Sequence, residues 1–196
     1  MMLIRDIVDV MLDTQVFFKR VAGQSPIRSL VYFGIVSLIT LAVNWALLSL
    51  NIMPAGLMPF KGMITGKEPL AMLIPLLYFI SGFFFIIFYA FLIGRVFRRA
   101  LFRDAITIVA HGFTPAVLAL WIPVIGILFG GWSVYLTALG LGAFNDKTMG
   151  ENLRACIGSG IVTGILIIMF MLLVAQGIVQ ITGSDPALIW TALVPV

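Results

Sequence analysis

The sequence is poor in charge and in the side chains that most catalytic and metal sites require. Charged residues make up 10% of the 196 residues, against about a quarter in soluble globular domains. There is one cysteine and one histidine. Cys156 therefore has no second cysteine for an intramolecular disulfide, and together with His111 it is too small a set for a zinc site. We expect neither a metal nor a cofactor.

Long apolar runs take the place of the missing charge. Hydrophobic residues make up 62% of the chain, and four nearly uncharged runs stand between the charged segments: 29–60, 69–94, 105–145 and 155–184. A run of ~20 apolar residues crosses a ~30 Å hydrocarbon core as a helix, and the third run is about twice that length. Backbone groups must be paired inside lipid, so helices are expected rather than open strands. The sequence therefore predicts an all-α integral membrane protein.

We divide the apolar part of the chain into five transmembrane helices. Pro123 and Gly126, in the sequence WIPVIG, predict the turn that splits the third run. Thr148 and Glu151 form a capping-box pattern ahead of the last helix. The predicted bundle occupies residues 25–182, with spans at about 26–50, 69–94, 105–121, 124–144 and 155–182, and is followed by an apolar extracytoplasmic tail, residues 183–196.

Residues 1–24 are predicted to form one amphipathic helix on the cytoplasmic side. Its apolar residues, among them Ile4, Val8, Phe17 and Phe18, share one broad face at 100° per residue, and its charged residues cluster opposite them. Such a helix can lie in the headgroup plane of a membrane, or its apolar face can pack on the bundle. The sequence leaves both alternatives open.

The basic residues predict an orientation and a lipid partner. Of the twelve Lys and Arg residues, Lys61 and Lys67 lie in the first predicted loop, and the other ten lie before span one or in the second and fourth loops. Because cytoplasmic loops carry an excess of Lys and Arg, this places the N-terminus in the cytoplasm and the C-terminus outside. No compact basic domain is present, so nucleic acid is not expected as a partner. Four arginines of the second loop are expected to meet anionic headgroups: Arg95, Arg98, Arg99 and Arg103.

His111 is the residue of the predicted spans that most invites a functional hypothesis. It lies ~10 Å inside span three, in the stretch HGFTP, where Pro115 lacks the N–H that would bond the His111 carbonyl. With Thr114 and, on span one, Asn44, it forms a candidate polar intramembrane site. Two alternatives remain open here, a neutral His111 bonded to another helix and a proton or ligand site. Three residues are expected to kink the helices: Gly112, Pro115 and Pro123.

The sequence shows no catalytic motif. The predicted spans contain no carboxylate, and neither a nucleophile elbow, a zinc-protease motif nor a phosphate loop is present. We therefore expect no enzyme activity. In span five, Gly160 and Gly164 form a GxxxG pattern, which predicts tight packing inside the bundle or, as the alternative, a dimer contact.

A pattern of glycine, proline and tryptophan extends from Ala110 to Ala155. It has a small-Gly-aromatic step running into a proline, a second proline at a turn, then a tryptophan, a leucine and a Gly-Leu pair before a short polar loop. The residues that carry it are Gly112, Phe113, Pro115, Pro123, Gly126, Trp132, Leu136, Gly140 and Leu141. In this it resembles the core of the Yip1-domain membrane proteins. The resemblance implies five spans with a cytoplasmic N-terminus and supplies no catalytic residue.

The resemblance also bears on location. Eukaryotic members of that family sit in ER and Golgi membranes, associate with Rab-type GTPases and carry a long polar region before the first span. Here 28 residues precede the first apolar run, which puts GTPase binding in doubt. The chain is similar to the compact prokaryotic members, and this implies the plasma membrane of a bacterium or archaeon.

Two functional hypotheses follow from these observations. The leading one is a non-enzymatic scaffold that organises the membrane through contacts with lipids, with a second copy of itself or with another membrane protein. The alternative is a small transporter or channel that uses the polar kink around His111 and Pro115 together with Asn44. Five spans do not divide into two equal repeats, which counts against a repeat-built transporter.

Overall fold

The computed structural model describes residues 2–54, 68–119, 121–122 and 124–182. Within these ranges the chain forms eight α-helices and one π-helical turn, and it has no strand. Most of the predicted first loop, residues 55–67, lies outside the described residues, as do Pro123 and the predicted tail, residues 183–196. The observed architecture is all-helical, as the sequence predicts.

The helices follow one another as two short helices, two long ones, a broken one and two more long ones. They are α1 (Met2–Leu12), α2 (Thr14–Val21), α3 (Pro26–Ser49), α4 (Glu68–Phe91) with its π-helical turn (Leu92–Val96), α5 (Phe102–Gly112), α6 (Thr114–Ala119), α7 (Ile125–Gly142) and α8 (Met149–Thr182). In the described part of the chain, four stretches are long and apolar enough to cross a membrane: Pro26–Ser49, Pro75–Val96, Ile125–Gly142 and Met149–Phe170.

The N-terminal segment is a pair of helices, which differs from the single helix predicted for residues 1–24. The break lies at Asp13, and the Arg20 guanidinium contacts Asp9 at 2.7 Å and Asp6 at 3.3 Å. In one straight helix, Asp9 and Arg20 would be ~16 Å apart along the axis. The two helices therefore fold back on each other, and ion pairs between them accompany the break.

These two helices divide the predicted apolar face between the bundle and the surface. Four of its side chains are buried in the core of the bundle: Val10, Phe17, Phe18 and Val21. Three residues of α1, spaced one turn apart, stay exposed: Ile4, Val8 and Leu12. Packing on the bundle is thus observed for Val10 and for α2, while α1 keeps an apolar stripe exposed. The alternative of a helix in the headgroup plane stays a prediction.

Helix α5 occupies the centre of the bundle. Every residue from 105 to 112 is buried, and the helix contacts α3, α4 and α7. Neighbouring helices rather than lipid therefore surround its side chains. A polar side chain on α5 therefore meets other protein groups.

The predicted third span, residues 105–121, is interrupted. Helix α5 ends at Gly112 and α6 begins at Thr114. The cause is Pro115, which lacks an N–H to bond the carbonyl one turn earlier. The next N–H, that of Ala116, donates to Ser133 Oγ of α7 at 3.0 Å. Each piece alone is shorter than a membrane crossing, α5 at ~16 Å and α6 at ~9 Å.

Hydrogen bonds join the two loops that carry basic residues, the α4–α5 loop with Arg98 and Arg99 and the α7–α8 loop with Lys147, at what we call the basic end of the bundle. Asn145, after α7, donates Nδ2 to the Arg99 carbonyl at 2.7 Å and exchanges amide hydrogen bonds of 3.1 Å with Asn152 of α8. Arg99 also pairs with Glu151 at 3.6 Å. The predicted capping box is present, with Thr148 N–H donating to Glu151 Oε2 and the Glu151 N–H returning to Thr148 Oγ1. The α4–α5 and α7–α8 connections therefore lie at the same end.

Candidate functional site

His111 is enclosed by three helices. It is 3% exposed, and its Nδ1 lies 2.8 Å from the Thr107 carbonyl one turn earlier on α5. The Tyr32 ring of α3 stacks on the imidazole with centroids 4.3 Å apart, and the Phe17 ring of α2 lies 5.1 Å away. These contacts account for the buried histidine through aromatic packing and a local hydrogen bond.

Hydroxyl groups connect α3 to the broken helix along its length. Three hydrogen bonds do this: Ser29 Oγ to Thr107 Oγ1 at 3.0 Å, Tyr32 Oη with Thr114 Oγ1 at 3.1 Å, and Thr40 Oγ1 to the Val117 carbonyl at 2.9 Å. Val117 is in the last turn of α6, where carbonyls lack a partner within the helix. The α3 side chains therefore supply partners that the broken helix needs.

Two glycines allow α5 and α7 to cross closely. A Cβ on Gly112 would overlap Thr137 Oγ1 of α7 and would lie 3.2 Å from the Thr137 Cα and backbone N. A Cβ on Gly140 would lie 2.8 Å from both Ile108 Cγ2 and Phe18 Cε2. Both positions leave no room for a side chain. This crossing holds the HGFTP stretch against α7.

The structure separates Asn44 from the other two residues of the candidate site. Asn44 follows Tyr32 by twelve residues on α3, which is ~18 Å along the helix. Thr114 is hydrogen-bonded to Tyr32 beside His111, whereas Asn44 lines a cavity of about 380 Å³ bounded by α3, α4, α6 and α8. The three residues of the predicted site therefore belong to two separate regions, a hydrogen-bonded core with His111 and Thr114 and a cavity with Asn44.

Sequence reasoning missed the α3 partners of this core, Ser29 and Tyr32, and also Thr107 of α5. A signal for the α3 side was present. Ser37, Thr40 and Asn44 recur on α3 at steps of three and four, the spacing that places side chains on one helical face. A polar stripe on an otherwise apolar span indicates a face turned toward other helices.

The glycine pair of α8 is divided between packing and open space. A Cβ on Gly160 would meet Tyr89 of α4 at 3.4 Å, an ordinary contact, and the Tyr89 hydroxyl donates to the Cys156 carbonyl at 2.7 Å. A Cβ on Gly164 would meet nothing within 4 Å, because Gly164 lines the cavity beside Asn44. In this chain Gly160 faces α4, inside the bundle.

The four arginines of the predicted lipid contact differ in their surroundings. Arg99 pairs with Glu151, and Arg103 contacts Asp104 at 3.3 Å. Arg95 and Arg98 are exposed, and among the described residues neither has an acidic partner. Between these two, Val96 and Phe97 are 58% and 37% exposed. The turn 95–98 thus presents two cations beside apolar side chains.

The described residues contain no group of three or more His, Cys, Asp and Glu side chains that could hold a metal ion. The contacts of the HGFTP stretch are neutral hydrogen bonds and ring stacking. Chemically, this arrangement positions helices relative to one another.

The comparison with family models decides the family. The Yip1 domain model matches residues 8–175 of the 196-residue chain. The chain belongs to the Yip1-domain family. Neither the curated proteins nor the solved structures gave a match. Two of the residues that carry the resemblance, Gly112 and Gly140, form the α5–α7 crossing. In this Yip1-domain protein they act in helix packing.

Proposed function

We propose that this Yip1-domain protein is a non-enzymatic scaffold that organises its membrane through lipid and protein contacts. The observation that carries the proposal is the surface of its basic end. The turn 95–98 there exposes Val96 and Phe97 beside Arg95 and Arg98, and the α1 stripe (Ile4, Val8 and Leu12) is a second exposed apolar segment. Basic and apolar groups side by side are typical of protein surfaces that sit at the headgroup level of a bilayer.

Anionic headgroups are the proposed lipid partners. Each juxtamembrane Arg near an anionic surface contributes about 1 kcal/mol. Arg95 and Arg98 are exposed and suited to this role, whereas Arg99 and Arg103 already have carboxylate partners in the protein. We therefore assign the headgroup contact chiefly to Arg95 and Arg98.

The proposed topology has five crossings, with α5 and α6 together forming the third. From Phe102 to Ala119 they extend over ~27 Å if they remain roughly in line, close to the thickness of a hydrocarbon core. The positive-inside rule then places the N-terminus in the cytoplasm and the C-terminus outside. The proposed location is the plasma membrane of a prokaryote.

A second copy or another membrane protein is the proposed protein partner. Helix α7 offers a suitable surface, because Trp132 and Tyr135 stack at 5.3 Å while remaining 43% and 40% exposed. Aromatic side chains of this kind are enriched at protein interfaces. The transporter alternative has less support, since His111 is enclosed by protein and lines neither the cavity beside Asn44 nor the smaller cavity beside Thr163.

The proposal is tested by native mass spectrometry of the protein released in patches of its own membrane. We expect a defined oligomer or a stoichiometric protein partner, together with anionic lipid enriched over the bulk membrane. Arg95→Gln with Arg98→Gln should lower the enrichment about fivefold for each arginine, the equivalent of ~1 kcal/mol. A monomer with lipid of bulk composition would contradict the proposal.

The matched control is the double substitution Lys147→Gln with Arg154→Gln. It removes the same two charges at the same end of the bundle, from exposed positions outside the turn 95–98. Lipid enrichment should change little in this variant. Equal losses in the two double variants would show that net charge, rather than this turn, attracts the lipid.

A further inference from the structure

We propose that the cavity beside Asn44 binds one chain of a neutral lipid that carries a free hydroxyl group. The inference goes beyond the scaffold proposal, because it concerns a discrete ligand in a cavity between helices rather than headgroup contacts at the basic end. It rests on the shape of the cavity, on one unpartnered polar atom and on the absence of charge from the described residues of the lining.

The cavity has the size and walls of a site for an apolar ligand. Its volume is about 380 Å³, within the ~300–1,000 Å³ range of small-molecule sites. Phe33 of α3, Phe85 of α4 and Phe113, at the break between α5 and α6, contribute aromatic walls. On α3 the lining extends from Phe33 to Asn44, which is ~16 Å along the helix axis. An elongated apolar group fits this space better than a compact polar one.

One wall of the cavity is polar. Ser37, Thr40 and Asn44 line it from a single face of α3. Thr40 donates its hydroxyl hydrogen to the Val117 carbonyl, which leaves the Thr40 oxygen as an acceptor. Asn44 is 8% exposed, and its Oδ1 has no hydrogen-bond partner in the described structure. A buried acceptor without a donor is unfavourable, so a ligand that supplies a donor is favoured here.

The lining selects a neutral donor. Among the described residues that line the cavity, none carries a charge. A phosphate or an ammonium group would therefore lose its hydration without gaining a counter-ion, which is strongly unfavourable at membrane depth. A hydroxyl can donate to Asn44 and remain uncharged. This selects alcohols and glycerol-type lipids over phospholipid headgroups.

Asn44 lies at a depth in the bundle that the hydroxyl group of a lipid can reach. Asn44 precedes Ser49, the last residue of α3, by five residues, or ~8 Å along the axis. This is the half of the bundle opposite the basic end. A lipid entering from that side can place its hydroxyl near Asn44 and its chain along the aromatic walls toward the bundle centre.

Photolabelling of the full-length protein in vesicles tests the site. The probes are a long-chain alcohol with a diazirine in its chain and the methyl ether of the same alcohol, each at the same mole fraction. We expect labelled peptides that contain Phe85 or Phe113. The alcohol should label about 2- to 13-fold more strongly than the ether, because the ether lacks the donor, whose hydrogen bond is worth ~0.5–1.5 kcal/mol.

Variants distinguish the contribution of the Asn44 hydrogen bond from that of the cavity volume. Asn44→Leu should abolish the preference for the alcohol over the ether. Gly164→Leu should strongly reduce labelling by both probes, since a side chain at Gly164 enters the cavity. Gly130→Leu on α7 is the matched control, because a Cβ there also meets nothing within 4 Å while Gly130 is not part of the cavity lining.

The outcomes are distinct. Equal labelling by alcohol and ether, or unchanged labelling of Gly164→Leu, would overturn the proposal. Competition by an unlabelled monoacylglycerol or by a polycyclic lipid alcohol identifies which kind of lipid supplies the hydroxyl. Loss of this site would leave the lipid enrichment at Arg95 and Arg98 unchanged, so the two proposals fail independently.

Discussion

Replacing Gly112 with alanine should destabilise the bundle by about 3 kcal/mol or more, near or above the upper end of the usual overpacking range. The added Cβ would overlap Thr137 Oγ1, and two Thr137 backbone atoms lie 3.2 Å from it. A flexible side chain could move aside, but the backbone of α7 cannot do so without separating the two helices. The measurement is the free energy of unfolding in mixed micelles, obtained by titration with SDS.

Gly130→Ala is the control for this substitution. No atom lies within 4 Å of a Cβ at Gly130, and alanine favours a helix over glycine by about 1 kcal/mol, so the control should be neutral or slightly stabilising. Adding Thr137→Ala to the Gly112 variant should recover part of the lost stability, since it removes Oγ1 but leaves the close backbone. Equal unfolding free energies for Gly112→Ala and Gly130→Ala would contradict the close crossing.

Replacing Phe18 with alanine should cost about 3–5 kcal/mol of unfolding free energy, the range for large aromatic side chains in a core. Phe18 is fully buried, and the centroids of its ring and of the Phe17 ring are 5.4 Å apart. Its ring also fills the space above Gly140. The same SDS titration measures the loss. The result would establish that the N-terminal helices are part of the folded bundle.

Val16→Ala provides the comparison, because Val16 lies on the same helix as Phe18 but is 58% exposed. Its substitution should change stability by less than about 0.5 kcal/mol. If Phe18→Ala unfolded with the same free energy as Val16→Ala, α2 would be a surface attachment and the α2–α5–α7 packing around Gly140 would be wrong.

Hydropathy and capping chemistry predicted the long helices well. Pro26 opens α3 as expected, the capping box of Thr148 and Glu151 lies at the start of α8, and α7 begins at Ile125, within the WIPVIG sequence. These signals are local. A run of apolar residues, a proline at the first helical position and a reciprocal side-chain cap act within a few residues of each other, so the sequence alone reports them.

The break in the N-terminal segment and the central place of α5 depend on contacts between distant residues. Arg20 pairs with carboxylates eleven and fourteen positions earlier, which a single-helix pattern does not show. The burial of residues 105–112 comes from α3, α4 and α7 together with the N-terminal helices, including Phe17 of α2. Apolar periodicity identifies a helix in lipid, but it does not distinguish one that other helices surround.

The candidate polar site was partly predictable for a similar reason. His111, Thr114 and Asn44 were found because polar residues are rare in the spans. Their division into a core beside Tyr32 and a cavity beside Asn44 follows from ~18 Å of separation along α3, which residue type alone does not give. Likewise, Arg99 has a carboxylate partner and Arg95 has none among the described residues, because the partner of Arg99 is Glu151, fifty-two residues later in the sequence.

The central claim is a five-span bundle with its basic end in the cytoplasm, since the headgroup contact and the depth of the Asn44 cavity both depend on it. Reporter fusions after Val196 test it most directly. We predict that alkaline phosphatase fused at that position is active and that green fluorescent protein fused there does not fluoresce. A green fluorescent protein fusion after Asp146, which should fluoresce, is the internal reference. A fluorescent fusion after Val196 with inactive phosphatase would contradict the claim, because it requires an even number of crossings and excludes α5–α6 as a span.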